Sequence, residues 1–82
     1  MREQLRLRIL QRLCRGEMNV GELRAALGSA RSSVSQHLAL LHRCGVLTRR
    51  REGAQVFYTV DPAHAGLLCE AVRRMVDGGA GA

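Results

Sequence analysis

The sequence predicts a mainly α-helical domain that carries one small β-hairpin. Three observations predict it. Apolar residues recur at three- and four-residue intervals through four separate stretches. One stretch, Gln55 to Val60, alternates instead. Helix-stopping Gly and helix-starting Asn and Asp-Pro fall where these stretches meet. A chain of 82 residues holds one domain. We read it as residues 1–77, with the Gly/Ala-rich segment 78–82 as a flexible tail.

The first helix runs from Arg2 to Arg15. Leu5, Ile9 and Leu13 share one face, and Leu7, Leu10 and Cys14 make a second apolar row. Two rows predict burial on two sides, one in the domain's own core and one against a neighbour. Gly16 stops the helix. Asn19-Val20-Gly21-Glu22 then has the form of a capping box, with Asn19 as N-cap and Glu22 reaching back. The short helix it opens turns Val20, Leu23, Ala26 and Leu27 inward and ends at Gly28.

A third helix starts near Ala30 or Arg31 and runs to Cys44, with Gly45 after it. Val34, Leu38 and Leu41 face inward, with Leu40 beside them. The other face carries Arg31, Ser32, Ser35, Gln36, Ala39 and Arg43. Only Gly28-Ser29-Ala30 separates the second and third helices, which is the spacing of a helix-turn-helix. Short polar side chains allow such a helix deep into a major groove, and Ser, Gln and Arg bond base edges or phosphates.

Val46-Leu47-Thr48 leads into Arg49-Arg50-Arg51, followed by Glu52-Gly53 and the alternating run Gln55 to Val60. Gly53 between two β-prone runs predicts a hairpin turn, with Phe57 and Tyr58 in the hairpin's core. A basic hairpin after a helix-turn-helix is a wing. Asp61 as N-cap and Pro62 at the first helical position open a last helix, with Leu67, Leu68, Ala71, Val72, Met75 and Val76 apolar. The order α-α-α-β-β-α is that of a winged helix-turn-helix.

Charge supports the same reading. The net charge is +6, and all 13 basic residues are Arg. From Leu23 to Arg51 there is no acidic residue, while Arg24, Arg31, Arg43, Arg49, Arg50 and Arg51 all lie there. The seven other arginines match the seven acids, so the whole excess lies between residues 23 and 51, the segment that contains the third helix and leads into the wing. That distribution points to double-stranded DNA. The alternative is a winged-helix module for protein interaction and dimerisation, with only weak DNA binding. No Ser-His-Asp, Cys-His or paired-carboxylate set and no Gly-rich phosphate loop argues for an enzyme. No apolar run approaches a membrane span, and the N-terminus lacks a signal-peptide core, so a cytoplasmic protein is expected. Three widely spaced cysteines, at 14, 44 and 69, argue against a disulfide scaffold.

At these residues the chain resembles a known family. Arg8-Ile9-Leu10, Val20-Gly21-Glu22-Leu23, Ser32-Ser33-Val34-Ser35-Gln36-His37-Leu38, Gly45-Val46-Leu47, Arg51-Glu52-Gly53 and Phe57-Tyr58 resemble the ArsR-type (arsenic-repressor-like) winged-helix repressors. The resemblance covers about residues 6 to 60. It implies a homodimeric bacterial repressor that binds an inverted-repeat operator through a recognition helix at 31–44 and a wing at 48–59. Arg31, Ser32, Ser33, Ser35, Gln36 and His37 match its DNA-facing helix, with Arg43 further along the same helix. Arg49, Arg50, Arg51 and Gln55 match wing positions. First and last helices make the family's dimer interface, which here implies Leu5, Ile9, Leu67, Leu68, Ala71, Val72 and Met75. The chain begins where the family's second helix usually begins. The usual Ser or Thr cap of the recognition helix is Ala30, with Ser29 as the replacement cap.

The family's inducer sites match poorly. The short helix has no Cys between Val20 and Ala25. Asp61 and His64 are one residue too far apart for the last-helix zinc motif, and Met75 and Gly78 ligate no zinc. Cys44 lacks a partner one turn earlier, where Leu40 stands. Cys14 and Cys69 lie on helices that sulfur-responsive relatives join through a Cys pair, but a turn or more from the matching positions. Each cysteine therefore reads first as a small buried residue. The alternative is release by a signal at Cys14, Cys44 and Cys69, either a thiol-reactive compound or a soft metal or metalloid such as arsenic, cadmium or lead.

Overall fold

The computed structural model describes residues 2–81, with side chains described for 4–76. Four helices and a small sheet follow one another: α1 (Arg2–Arg15), β1 (Met18–Asn19), α2 (Val20–Leu27), α3 (Arg31–Arg43), β2 (Leu47–Glu52), β3 (Gln55–Val60) and α4 (Pro62–Gly81). The winged helix-turn-helix order holds, with β1 added. The tail expected at 78–82 falls outside the residues whose side chains are described.

Local chemistry accounts for the boundaries. The capping box at Asn19 is complete: Glu22 N donates to Asn19 Oδ1 at 2.7 Å, and Asn19 N donates to Glu22 Oε1 at 2.9 Å. At the end of α3, Val46 N donates to Leu41 O and Gly45 N to His42 O, both at 3.0 Å. That pair of bonds needs a left-handed residue, and Gly45 supplies it at φ 82°. The expected Ser29 cap is not made: Ala30 is the N-cap of α3, and no side chain bonds to that end.

The sheet order is β1-β3-β2, all antiparallel. Glu52 pairs with Gln55, so Gly53 and Ala54 make the turn, and Gly53 takes φ 63°. Positive φ at the first turn residue alone is the glycine-demanding position of a II′ hairpin. In this register Leu47, Arg49 and Arg51 share a face with Val60, Tyr58 and Val56, while Thr48, Arg50 and Glu52 share the other with Thr59, Phe57 and Gln55. The first face enters the core at Leu47, Tyr58 and Val60.

The core is aliphatic. Ile9, Leu13, Leu23, Val34 and Leu38 are fully buried, each contributing roughly 1.5–3 kcal/mol. Two expected dimer contacts are corrected by this packing. Ile9 (0% exposed) and Val72 (3%) lie in the protomer's own core, where α1 and α4 pack on each other. Leu5 and Leu68 are partly buried against the same core. Leu67 (87% exposed), Ala71 and Met75 (62%) form an uncovered stripe on α4 at i, i+4, i+8.

The packing of α1 on α4 also corrects the reading of the cysteines. Cys14 and Cys69, separated by 55 positions in sequence, are joined as a disulfide, with Cα atoms 5.7 Å apart. Helical periodicity places Cys14 in an apolar row of the first helix, and each cysteine is expected to be a small buried residue, but neither signal pairs Cys14 with Cys69. Cys44 is free and exposed at the end of α3.

Candidate nucleic-acid interface

Helical geometry divides α3 into two faces. At about 100° per residue, Val34, His37, Leu38 and Leu41 fall within an arc of about 100°, and all four are buried. Arg31, Ser32, Ser35, Gln36, Ala39 and Arg43 fall within a separate arc of about 140°. Ser35 is half-buried there, and the other five are exposed. Ser33 sits off this arc and is half-buried. His37 is the correction: it is 9% exposed, on the core side between Val34 and Leu41, so its ring does not face the groove.

The N-terminus of α3 has no side-chain cap and no acid in its first turn. Its first backbone N–H groups and the positive end of the helix dipole therefore point outward beside Arg31. An anion is the natural complement of such an end. A groove of about 390 Å³ connects this end to the wing, with Asn19, Gly21, Arg31, Ala54, Gln55 and Tyr58 among its walls. Gln55 is exposed there, and its Oε1 accepts from Asn19 Nδ2 at 3.2 Å.

The wing arginines are not equivalent. Arg49 and Arg51 are exposed, and among the described residues neither has an ion pair. Arg50 is bound within the chain. Its Nε donates to Glu17 Oε2 at 2.7 Å, its Nη2 to Glu17 Oε1 at 2.8 Å and its Nη1 to Glu52 Oε2 at 3.1 Å. Its guanidinium carbon lies 4.9 Å from the centre of the Phe57 ring. Hydrogen bonds from Arg50 hold the Glu17 carboxyl below its ordinary range, and the same bonds raise Arg50. The expected DNA contact at Arg50 is thus a guanidinium already occupied. Sequence spacing missed Glu17 as its partner, because Glu17 lies 33 positions away.

Among the described residues the cysteines and histidines are not gathered into one cluster. Cys14 and Cys69 are bonded to each other, Cys44 stands alone on α3, and His64 Nδ1 meets Asp61 Oδ2 at 2.9 Å. Among the described residues no group of three or more His, Cys, Asp or Glu is placed to hold a metal ion. No helix there is long and apolar enough to cross a membrane.

Comparison with known proteins agrees with this geometry. Residues 3–49 match the model of the bacterial regulatory protein arsR family. The transcriptional activator HlyU of Vibrio cholerae is 39% identical over 92% of this chain and 69% of its own length. A biofilm growth-associated repressor of Agrobacterium fabrum is 39% identical over 82% of this chain, which spans 57% of that protein. The HlyU structure from Vibrio cholerae superposes with a TM-score of 0.78, covering 88% of this chain and 78% of that one. A homodimeric winged helix-turn-helix DNA-binding domain from Mycobacterium bovis superposes at 0.76 with 30% identity, covering 89% of this chain and 68% of that one.

Proposed function

Since this chain belongs to the ArsR family of bacterial regulatory proteins, we propose that it is a dimeric transcriptional repressor that acts in the cytoplasm on an inverted-repeat operator. The observation that carries this reading is the outward face of α3. It is free of acid, starts at an uncapped helix end and is flanked by Arg49 and Arg51 on the wing. Arg31, Ser32 and Gln36 read base edges, and Arg49 and Arg51 bind phosphate. The stripe of Leu67, Ala71 and Met75 joins two copies through α4. A two-fold axis there presents two recognition helices about one DNA turn apart, which is why the operator is an inverted repeat.

The Cys14–Cys69 disulfide makes the operator affinity redox-dependent. A two-electron oxidant, such as a peroxide reduced to an alcohol or water or a small-molecule disulfide reduced to two thiols, takes two electrons and two protons from the pair, and the new S–S bond ties α1 to α4. Because α4 also carries the dimer stripe, this tie alters how the two recognition helices are set, and oxidation releases the operator. The test is a gel shift on duplex DNA selected by the reduced protein, with reduced and oxidised protein compared. A loss of tenfold or more on oxidation is expected, and Cys69→Ala should not respond. Equal affinity in both states removes the thiol switch, while failure to prefer the selected duplex over a scrambled one removes the repressor reading itself.

A further inference from the structure

The outer face of the sheet carries one connected polar assembly. The register sets Arg50 beside Phe57 and Phe57 beside Asn19, in the order β2, β3, β1. Adjacent strands lie about 4.8 Å apart, so β1 is about 10 Å from β2. Arg50 and the Glu17 side chain together span that gap. Arg50 lies over the Phe57 ring and ends in a two-point grip on Glu17, just before β1. A planar fork gives this bidentate geometry, and a lysine ammonium does not. A second tie, Asn19 to Gln55, joins β1 to β3 nearer the turn, and Asn19 is also the cap of α2.

The wing needs such a tie. Its base is anchored by Leu47, Tyr58 and Val60, but every residue from Arg49 to Gln55 is exposed. β1 offers β3 only two residues of backbone pairing. The distal hairpin is therefore a lever whose pitch the core does not set. The local charge also speaks against a phosphate at Arg50, since Glu17 and Glu52 outnumber it.

We propose that Arg50 and Glu17 are a positioning pair for DNA binding: by bridging β2 to the α1–β1 connection across Phe57, they fix the wing's pitch relative to α3. Arg49 and Arg51 then meet the DNA backbone while α3 sits in the major groove. The role rests on the DNA-binding reading above. The lowered carboxyl of Glu17 agrees with a pair that stays charged and closed near neutrality.

The test measures affinity across a salt series, with reduced protein throughout and on a duplex selected from random DNA by the reduced wild type, alongside amide NMR of the wing. Glu17→Gln, Arg50→Ala, Arg50→Glu, the reversed pair Glu17→Arg with Arg50→Glu, and Arg49→Ala are compared. Glu17→Gln removes a negative charge near DNA, yet should weaken selective binding roughly two- to fivefold, the effect of an exposed ion pair, with the salt slope unchanged. Arg50→Ala should behave alike, and wing amides should lose order in both. The reversed pair should recover most of what Arg50→Glu loses. Arg49→Ala should instead lower the salt slope by about one. The proposal is overturned if Glu17→Gln binds as well as or better than wild type, if Arg50→Ala lowers the slope as Arg49→Ala does, or if the reversed pair is no better than Arg50→Glu. Wild-type binding that ignores sequence removes the DNA-reading premise, and the positioning role with it. Wing disorder in Glu17→Gln and Arg50→Ala then shows separately that the bridge itself was sound.

Discussion

Reduction of the Cys14–Cys69 bond should destabilise the chain by a calculable amount. The bond closes a loop over a sequence separation of 55. Loop-closure entropy for a loop of that size corresponds to about 4 kcal/mol at 25 °C, drawn from the unfolded state. A domain of 82 residues has a total stability of roughly 4–12 kcal/mol. Each kcal/mol moves the midpoint of a domain this size by about 4–8 °C, so reduction should lower Tm by roughly 15–30 °C. The assay is circular-dichroism melting at one fixed protein concentration, with and without a phosphine reductant. Thiol titration in denaturant should count one thiol per chain before reduction, Cys44, and three after. Melts that agree within a few degrees, with those thiol counts confirmed, would refute the reasoning that the bond restrains the unfolded chain.

Four further outcomes follow from the same structure. Leu38→Ala removes a fully buried side chain from α3 and should cost about 2–5 kcal/mol in urea unfolding. Arg31→Ala should reduce preference for the selected duplex over scrambled DNA about tenfold or more, whereas Arg49→Ala should weaken both alike. Met75→Asp, on the exposed stripe of α4, should shift sedimentation toward the monomer while leaving the helical spectrum intact. Glu17 has a folded pKa below its unfolded value, so its ion pair contributes above the unfolded value of about 4.5 and is lost as pH falls through the lowered one. The Arg50 Nε–H resonance should therefore hold its position from pH 7 to about 5 and move only in more acidic solution; movement near pH 6 would contradict the pairing.

Local features of the fold were legible because their signals lie within a few residues. The capping box at Asn19 and Glu22, the stop at Gly45 and the turn at Gly53 each depend on one short bond or one backbone angle. The outward face of α3 was legible from its period. His37 was also legible there, three residues after Val34 and four before Leu41, yet positional matching to a family placed it among DNA contacts. Other features had no such signal. β1 is two residues long, too short for any alternation to register. Arg50 and Glu17 meet across 33 positions, and Cys14 and Cys69 across 55. Periodicity says which way a side chain points on its own element, but not which distant side chain waits there. The division of the three wing arginines is therefore a product of strand register and tertiary packing.

The most direct test of DNA reading by α3 is quantitative footprinting on duplexes selected from random DNA by the reduced protein, with scrambled duplexes as reference. The account predicts protection of two half-sites about one helical turn apart, an affinity ratio of about a thousandfold or more over scrambled DNA, and a fall of about tenfold or more in that ratio in Arg31→Ala. Selected and scrambled duplexes bound equally, with the same salt slope, would contradict it.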